Sequence, residues 1–280
     1  MQEDPPDAPA RPHVQQFLEE YAANREGVCP VPISTGLADV DALLGGLRPG
    51  ELTVIGARPA TGATTLALKV VSNTCALFGQ PTAFASARLP AGLCVARMVN
   101  ALARVDAELL RFGFLSRQDE RQMRQACEIL ASFPLHLSAS PLTRLDALAS
   151  EWRRLRKFHD VVLFVYDGLQ HLGPGTGAEV ARALRSLAQE LQAPVLAVGP
   201  LRRRADRRAA PVLADLWGGL DLEFQASKIL LLSRGGSTED ASKRAEIVWV
   251  DVVKNETGAT GRVRVDFLPQ YLRIESSAVM

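Results

Sequence analysis

No apolar run in this sequence approaches the roughly 20 residues that span a bilayer, and the acidic, proline-rich start lacks a basic stretch followed by an apolar one. Neither a membrane span nor a secretory leader is read, and a cytoplasmic protein is expected. Cysteine is scarce: Cys29, Cys75, Cys94 and Cys127 are scattered, form no C-x-x-C pair and have no histidine at ligand spacing, which excludes a zinc framework or a disulfide scaffold. Net charge is nearly absent, at +1, so overall charge does not point to nucleic acid. Charge is instead local, with Arg202, Arg203, Arg204, Arg207 and Arg208 crowded into one short stretch. No internal repeat is visible. What remains is a chain of 280 residues, 47% hydrophobic and 22% charged, long enough for one large α/β domain or two small ones.

Residues 1–11 are rich in Pro, Asp and Ala and are expected to form a disordered tail. Val14, Phe17, Leu18 and Tyr21 recur at helical spacing and predict an amphipathic helix over 14–24, whose stripe needs a surface on the chain itself or on another subunit. The expected domain boundary lies at 33/34. From residue 34, strand-like runs at 52–55, 82–85, 161–166, 194–198 and 228–232 alternate with helical patterns at 64–78, 92–103, 116–132, 142–158 and 178–191. That alternation predicts an α/β domain with a mostly parallel central sheet flanked by helices. Segments 246–253 and 262–267, with Gly258 and Gly261 between them, predict antiparallel strands at the C-terminal edge.

The run from Leu52 to Thr65 reads as strand, tight turn and helix start, the context of a phosphate-binding loop. Against the pattern G-x-x-x-x-G-K-[ST], Gly62 and Thr64 are in place, Ala57 stands at the first glycine and Ala63 at the lysine. A methyl group has no donor for the β- and γ-phosphates. Loss of one charge-assisted hydrogen bond costs roughly 1.5–3 kcal/mol, so anion binding weakens by one to two decades while the loop amides and Thr64 remain. An ordinary glycine-containing turn of an α/β fold is the alternative reading.

Thr35-Gly-Leu-Ala-Asp-Val-Asp-Ala-Leu-Leu-Gly-Gly-Leu-Arg-Pro-Gly-Glu-Leu-Thr-Val-Ile-Gly-Ala-Arg-Pro59 resembles the opening of the motor domain of DnaB-family replicative helicases. The likeness continues through Arg104-Val-Asp106, Asp167 with Leu169-Gln170, the Arg-Ala-Asp-Arg-Arg run at 204–208 and Ala214-Asp-Leu216, over nearly all of 34–275. It implies a RecA-like P-loop fold, a hexameric ring, ATP hydrolysed between subunits with Mg²⁺, and translocation on single-stranded DNA. Thr64 and Asp167 then match the metal-orienting positions, Arg58, Thr65 and Gln170 fall within the nucleotide motifs, and Lys254 matches a lysine offered by the neighbouring subunit. The helix over 14–24 stands where the family has a linker helix that docks on the adjacent subunit. Barely any chain precedes the motor-like segment, so the family's N-terminal domain, and primase contact through it, are not expected.

Other matched positions carry altered chemistry. Arg88 stands at the catalytic glutamate, and a cation cannot polarise an attacking water. Pro200 replaces the glutamine that senses γ-phosphate, and Glu256 replaces the arginine finger, where an acid repels triphosphate. On the DNA-facing loop the chain has Trp217-Gly218-Gly219-Leu220; Trp217 is a candidate to stack on a base, or else packs on its own domain. The arginines at 202–208 are candidate phosphate contacts, or a solvated basic linker. The favoured expectation is a replication-linked protein with an impaired ATP site that acts by binding DNA, the helicase or its own kind. The alternatives are an ATP-dependent 5'-3' hexameric helicase, active as it stands or in a mixed ring, and a non-replicative RecA-fold regulator.

Overall fold

The computed structural model describes residues 14, 15, 18, 32–138, 142–173, 175–202, 210–237 and 244–277. The chain divides into two compact units, 1–32 and 33–280. In the first, Val14, Gln15 and Leu18 are helical and exposed; the expected tail, Phe17, Tyr21 and the rest of the expected helix lie outside the described residues.

The second unit carries a nine-stranded sheet in the order β3-β2-β4-β5-β1-β6-β7-β8-β9. The strands are β1 (Leu52–Ala57), β2 (Thr82–Ser86), β3 (Leu135–Leu137), β4 (Leu163–Asp167), β5 (Val195–Pro200), β6 (Lys228–Ser237), β7 (Glu246–Asn255), β8 (Gly261–Leu268) and β9 (Arg273–Ser276). β1 to β6 are parallel, and β6 to β9 form an antiparallel run. The helices are α1 (Ala38–Leu44), α2 (Ala63–Phe78), α3 (Ala91–Ala103), α4 (Ala107–Phe112), α5 (Arg117–Ala131), α6 (Leu145–His159), α7 (Gly177–Leu191) and α8 (Gly219–Gln225).

β1 is buried along its whole length because both faces are covered, which is why it reads as continuous apolar sequence rather than alternation. Alternate side chains still part company. Ile55 joins Leu66, Val70 and Val71 of α2 on one face, while Leu52 and Val54 join Leu148 and Trp152 of α6 and Leu184 of α7 on the other. Each such side chain removed from water contributes roughly 1.5–3 kcal/mol, so the two faces together hold the sheet between its helices.

Parallel strands end on one edge, and here the register decides what meets there. Ser86 of β2 lies beside Asp167 of β4, Asp167 beside Val198 of β5, and Pro200 of β5 beside Ala57 of β1. The chain leaves β1 into α2 and returns to β2 beyond β4 and β5, so the C-terminal strand ends open a crevice at this reversal.

The C-terminal edge is larger than the expected pair. β6 runs on through Gly235 and Gly236, with a register shift between Arg234 and Gly236, and β9 adds a further strand. The expected helix at 142–158 starts at Leu145 instead, and the Leu142 carbonyl accepts the Tyr166 hydroxyl at 2.7 Å. Among the described residues no helix is long and apolar enough to cross a membrane.

Candidate functional site

The loop after β1 enters α2 through Gly62 at φ +98°, where a Cβ would be strained and would also approach the Ile274 side chain to 3.3 Å. The first backbone bond of α2 runs from the Leu66 amide to the Gly62 carbonyl at 2.8 Å, leaving the amides of Ala63, Thr64 and Thr65 without an intrahelical acceptor. With the positive end of the helix dipole, they make an anion-seeking corner. Ala63 packs its methyl against the core cluster beside α2 and adds no cation.

Thr64 Oγ1 donates to Asp167 Oδ2 at 3.0 Å and Ser86 Oγ donates to the same oxygen at 3.3 Å. Ser86 is itself fixed, since its hydroxyl accepts from the amides of Arg88 and Leu89. Burial pushes the Asp167 carboxyl above its ordinary range, against the hydrogen bonds from Thr64 and Ser86 and the nearby charges of Arg88 and Arg97. These groups face a cleft of about 520 Å³ that is also lined by Ala57, Arg58, Gly62, Gln170 and Pro200. Two further cations reach it that the motif reading does not single out, Arg97 from α3 and Arg234 from β6. Arg234 Nη2 donates to the Ala60 carbonyl of the phosphate loop at 2.7 Å and pairs with Glu246 at 3.2 Å. Arg97 is the one charged side chain of Ala91–Ala103, though no motif marks it in the sequence.

Lys254 and Glu256 do not line this cleft. Lys254 Nζ donates to the carbonyls of Glu223 and Ala226 at 2.8 and 2.7 Å, closing the C-terminal end of α8, and pairs with Glu256 at 3.0 Å. Of the DNA-contact candidates, Arg202 is exposed and its guanidinium lies beside Gly219, while Gly218 approaches Gly177 so closely that a Cβ on Gly177 would stand 2.4 Å from the Gly218 Cα. Trp217 is half-buried and packs against the core, with its amide bonded to the Pro200 carbonyl at 3.1 Å; the exposed apolar side chains here are Leu220 and Phe224. Arg203, Arg204, Arg207 and Arg208 lie outside the described residues.

A sequence model of the DnaB-like helicase C terminal domain matches residues 32–276. The chain belongs to that family. Among DnaB relatives, the replicative DNA helicase DnaB of Leifsonia xyli is 30% identical over 256 residues, covering 88% of this chain and 56% of the relative. DnaB of Geobacillus stearothermophilus is 27% identical over 264 residues, covering 90% and 58%. The chain thus spans little more than half the length of these DnaB proteins. Among solved structures, a DnaB-like replicative helicase described with its interactions with primase superposes with a TM-score of 0.81 at 22% identity, covering 99% of this chain and 68% of that one. A second structure, of an isolated ATPase domain, also gives 0.81, at 23% identity, covering 96% and 99%. At those identities the two structures speak for the fold alone, which is the RecA-like helicase ATPase fold.

Whether the residues fit the family's nucleotide and metal is a question of donors. The loop amides, Arg88 and Arg97 suit a phosphate chain. Thr64 and Asp167 are the oxygen pair that would hold Mg²⁺, yet they are bonded to each other, and Asp167 is the one carboxylate lining the cleft among the described residues. The fit to phosphate is good; for a divalent cation the two oxygens are present, but the cleft sets the guanidiniums of Arg58, Arg88, Arg97 and Arg234 against that one carboxylate.

Proposed function

We propose that this chain is a replication-linked DnaB-type motor domain whose ATP site holds nucleotide without turning it over, and which works by binding single-stranded DNA, a replicative helicase or further copies of itself. The observation that carries this reading is Arg88 in the cleft beside Asp167, where the family pattern has a glutamate. A guanidinium there leaves the attacking water without a base. Ala63 withdraws the loop cation, Pro200 closes β5 where an amide side chain is needed, and Glu256 sits against Lys254 where an arginine finger belongs. Substitutions at several positions serving one reaction leave binding as the remaining use of the fold.

A second reading, an ATP-dependent helicase subunit that works in a mixed ring, is favoured by the Thr64–Asp167 pair. The experiment that separates them is unwinding of a forked duplex by the purified chain with ATP and Mg²⁺, alone and mixed with a DnaB-type helicase. No unwinding alone, together with co-sedimentation in the mixture, is expected. Unwinding by the chain alone would contradict the proposal.

A further inference from the structure

In the family pattern the loop lysine and the glutamate cancel; here Ala63 and Arg88 leave a surplus positive charge facing the loop. Arg88 is exposed and Arg97 half-buried, both line the cleft, and among the described residues neither guanidinium has a hydrogen bond or an ion pair. They are near enough to act on one another: the Arg97 side chain is held below its ordinary value, first by burial and further by the charge of Arg88, against the pull of Asp167. Gathering like charges without partners is unfavourable, and an anion between them reverses the sign. Beyond the cations, Phe267, Pro269 and Leu272 form an apolar wall.

We propose that this cleft takes an oligophosphate chain without a divalent cation, gripped by the guanidiniums of Arg88 and Arg97 together with the amides at the start of α2. The inference rests on the reading of this site as one that binds without turnover. Arg88 and Arg97 take over the charge neutralisation that a lysine and a magnesium ion supply elsewhere, and each guanidinium can make paired hydrogen bonds to phosphate oxygens. A magnesium ion entering beside them would meet two cations and a single carboxylate already engaged by Thr64 and Ser86.

Calorimetric titration of the full chain with ATP and with inorganic tripolyphosphate, each in EDTA and in excess Mg²⁺, tests this. Both probes are expected to bind in EDTA, and Mg²⁺ should not tighten them. Arg88→Ala changes an exposed side chain and should weaken both by roughly ten- to a hundredfold, the worth of one charge-assisted hydrogen bond. Asp167→Asn, which removes the opposing carboxylate, should tighten them. Equal affinity for the two probes assigns the site to free oligophosphate, tighter binding of ATP assigns it to nucleotides, and either supports the proposal. Binding that requires Mg²⁺, weakening by Asp167→Asn, or no binding of either probe overturns it. ATP turnover would overturn the reading of the site as non-hydrolysing and leave this one standing; Mg²⁺-dependent binding without turnover would do the reverse.

Discussion

Asp167 shows how much one side chain owes to its position at the end of β4: it is buried, receives two hydroxyls and shares its surroundings with Arg88 and Arg97. Its charge is felt at Cys94, whose thiol is pushed up to about 11 by burial first and by Asp167 second, while burial also raises Cys75. At pH 8 Cys94 is therefore held as the thiol, and Cys127 is the exposed thiol among the described cysteines. In a Cys29→Ser variant an aromatic disulfide reagent should label Cys127 quickly and the other thiols only after unfolding; fast labelling of all of them would contradict the burial. Ala63, Thr64, Asp167 and Arg88 were legible in sequence because the loop and strand-end motifs fix their spacing. Arg97 lies on a helix with no motif, and Arg234 lies past the end of the expected strand at 228–232.

Among the elements, α7 and the turn into α8 meet backbone to backbone. Thr176 and Glu179 form a reciprocal cap at the start of α7, and Gly177 just inside it lies against Gly218. Gly177→Ala should destabilise the fold by about 1–3 kcal/mol as the turn carrying Gly218 and Gly219 is displaced. Gly92→Ala, where a Cβ meets nothing within 4 Å in the first turn of α3, should leave stability equal or slightly higher. Thermal midpoints of the two variants check this, and equal falls would place the close approach elsewhere. Long buried strands and amphipathic helices were readable because their periodicity repeats. β3 is only three residues long, α8 opens on Gly219, and β9 follows Leu272 at φ +49°, so local sequence carried little warning of any of them.

At the scale of the whole molecule, the mostly parallel sheet was implied by the strand–helix alternation, but the reversal beside β1 was not, nor was the extent of the β6–β9 edge, where β6 continues through two glycines with a register shift and β9 follows a residue at positive φ. The DNA reading belongs here too. Arg202, the described member of the basic stretch, lies beside Gly219. Replacing Arg202, Arg203 and Arg204 with alanine should flatten the salt dependence of single-strand binding by roughly 0.7 for each phosphate no longer neutralised; an unchanged slope would place the DNA on another face.

The most direct measurement is steady-state ATP hydrolysis by the purified chain with Mg²⁺, with and without single-stranded DNA, alongside Ala63→Lys. Background rates are expected in every case, because restoring the loop cation supplies no base in place of Arg88. Turnover near 1 s⁻¹, roughly the low end for ordinary enzymes, in the natural chain or in Ala63→Lys would contradict the account.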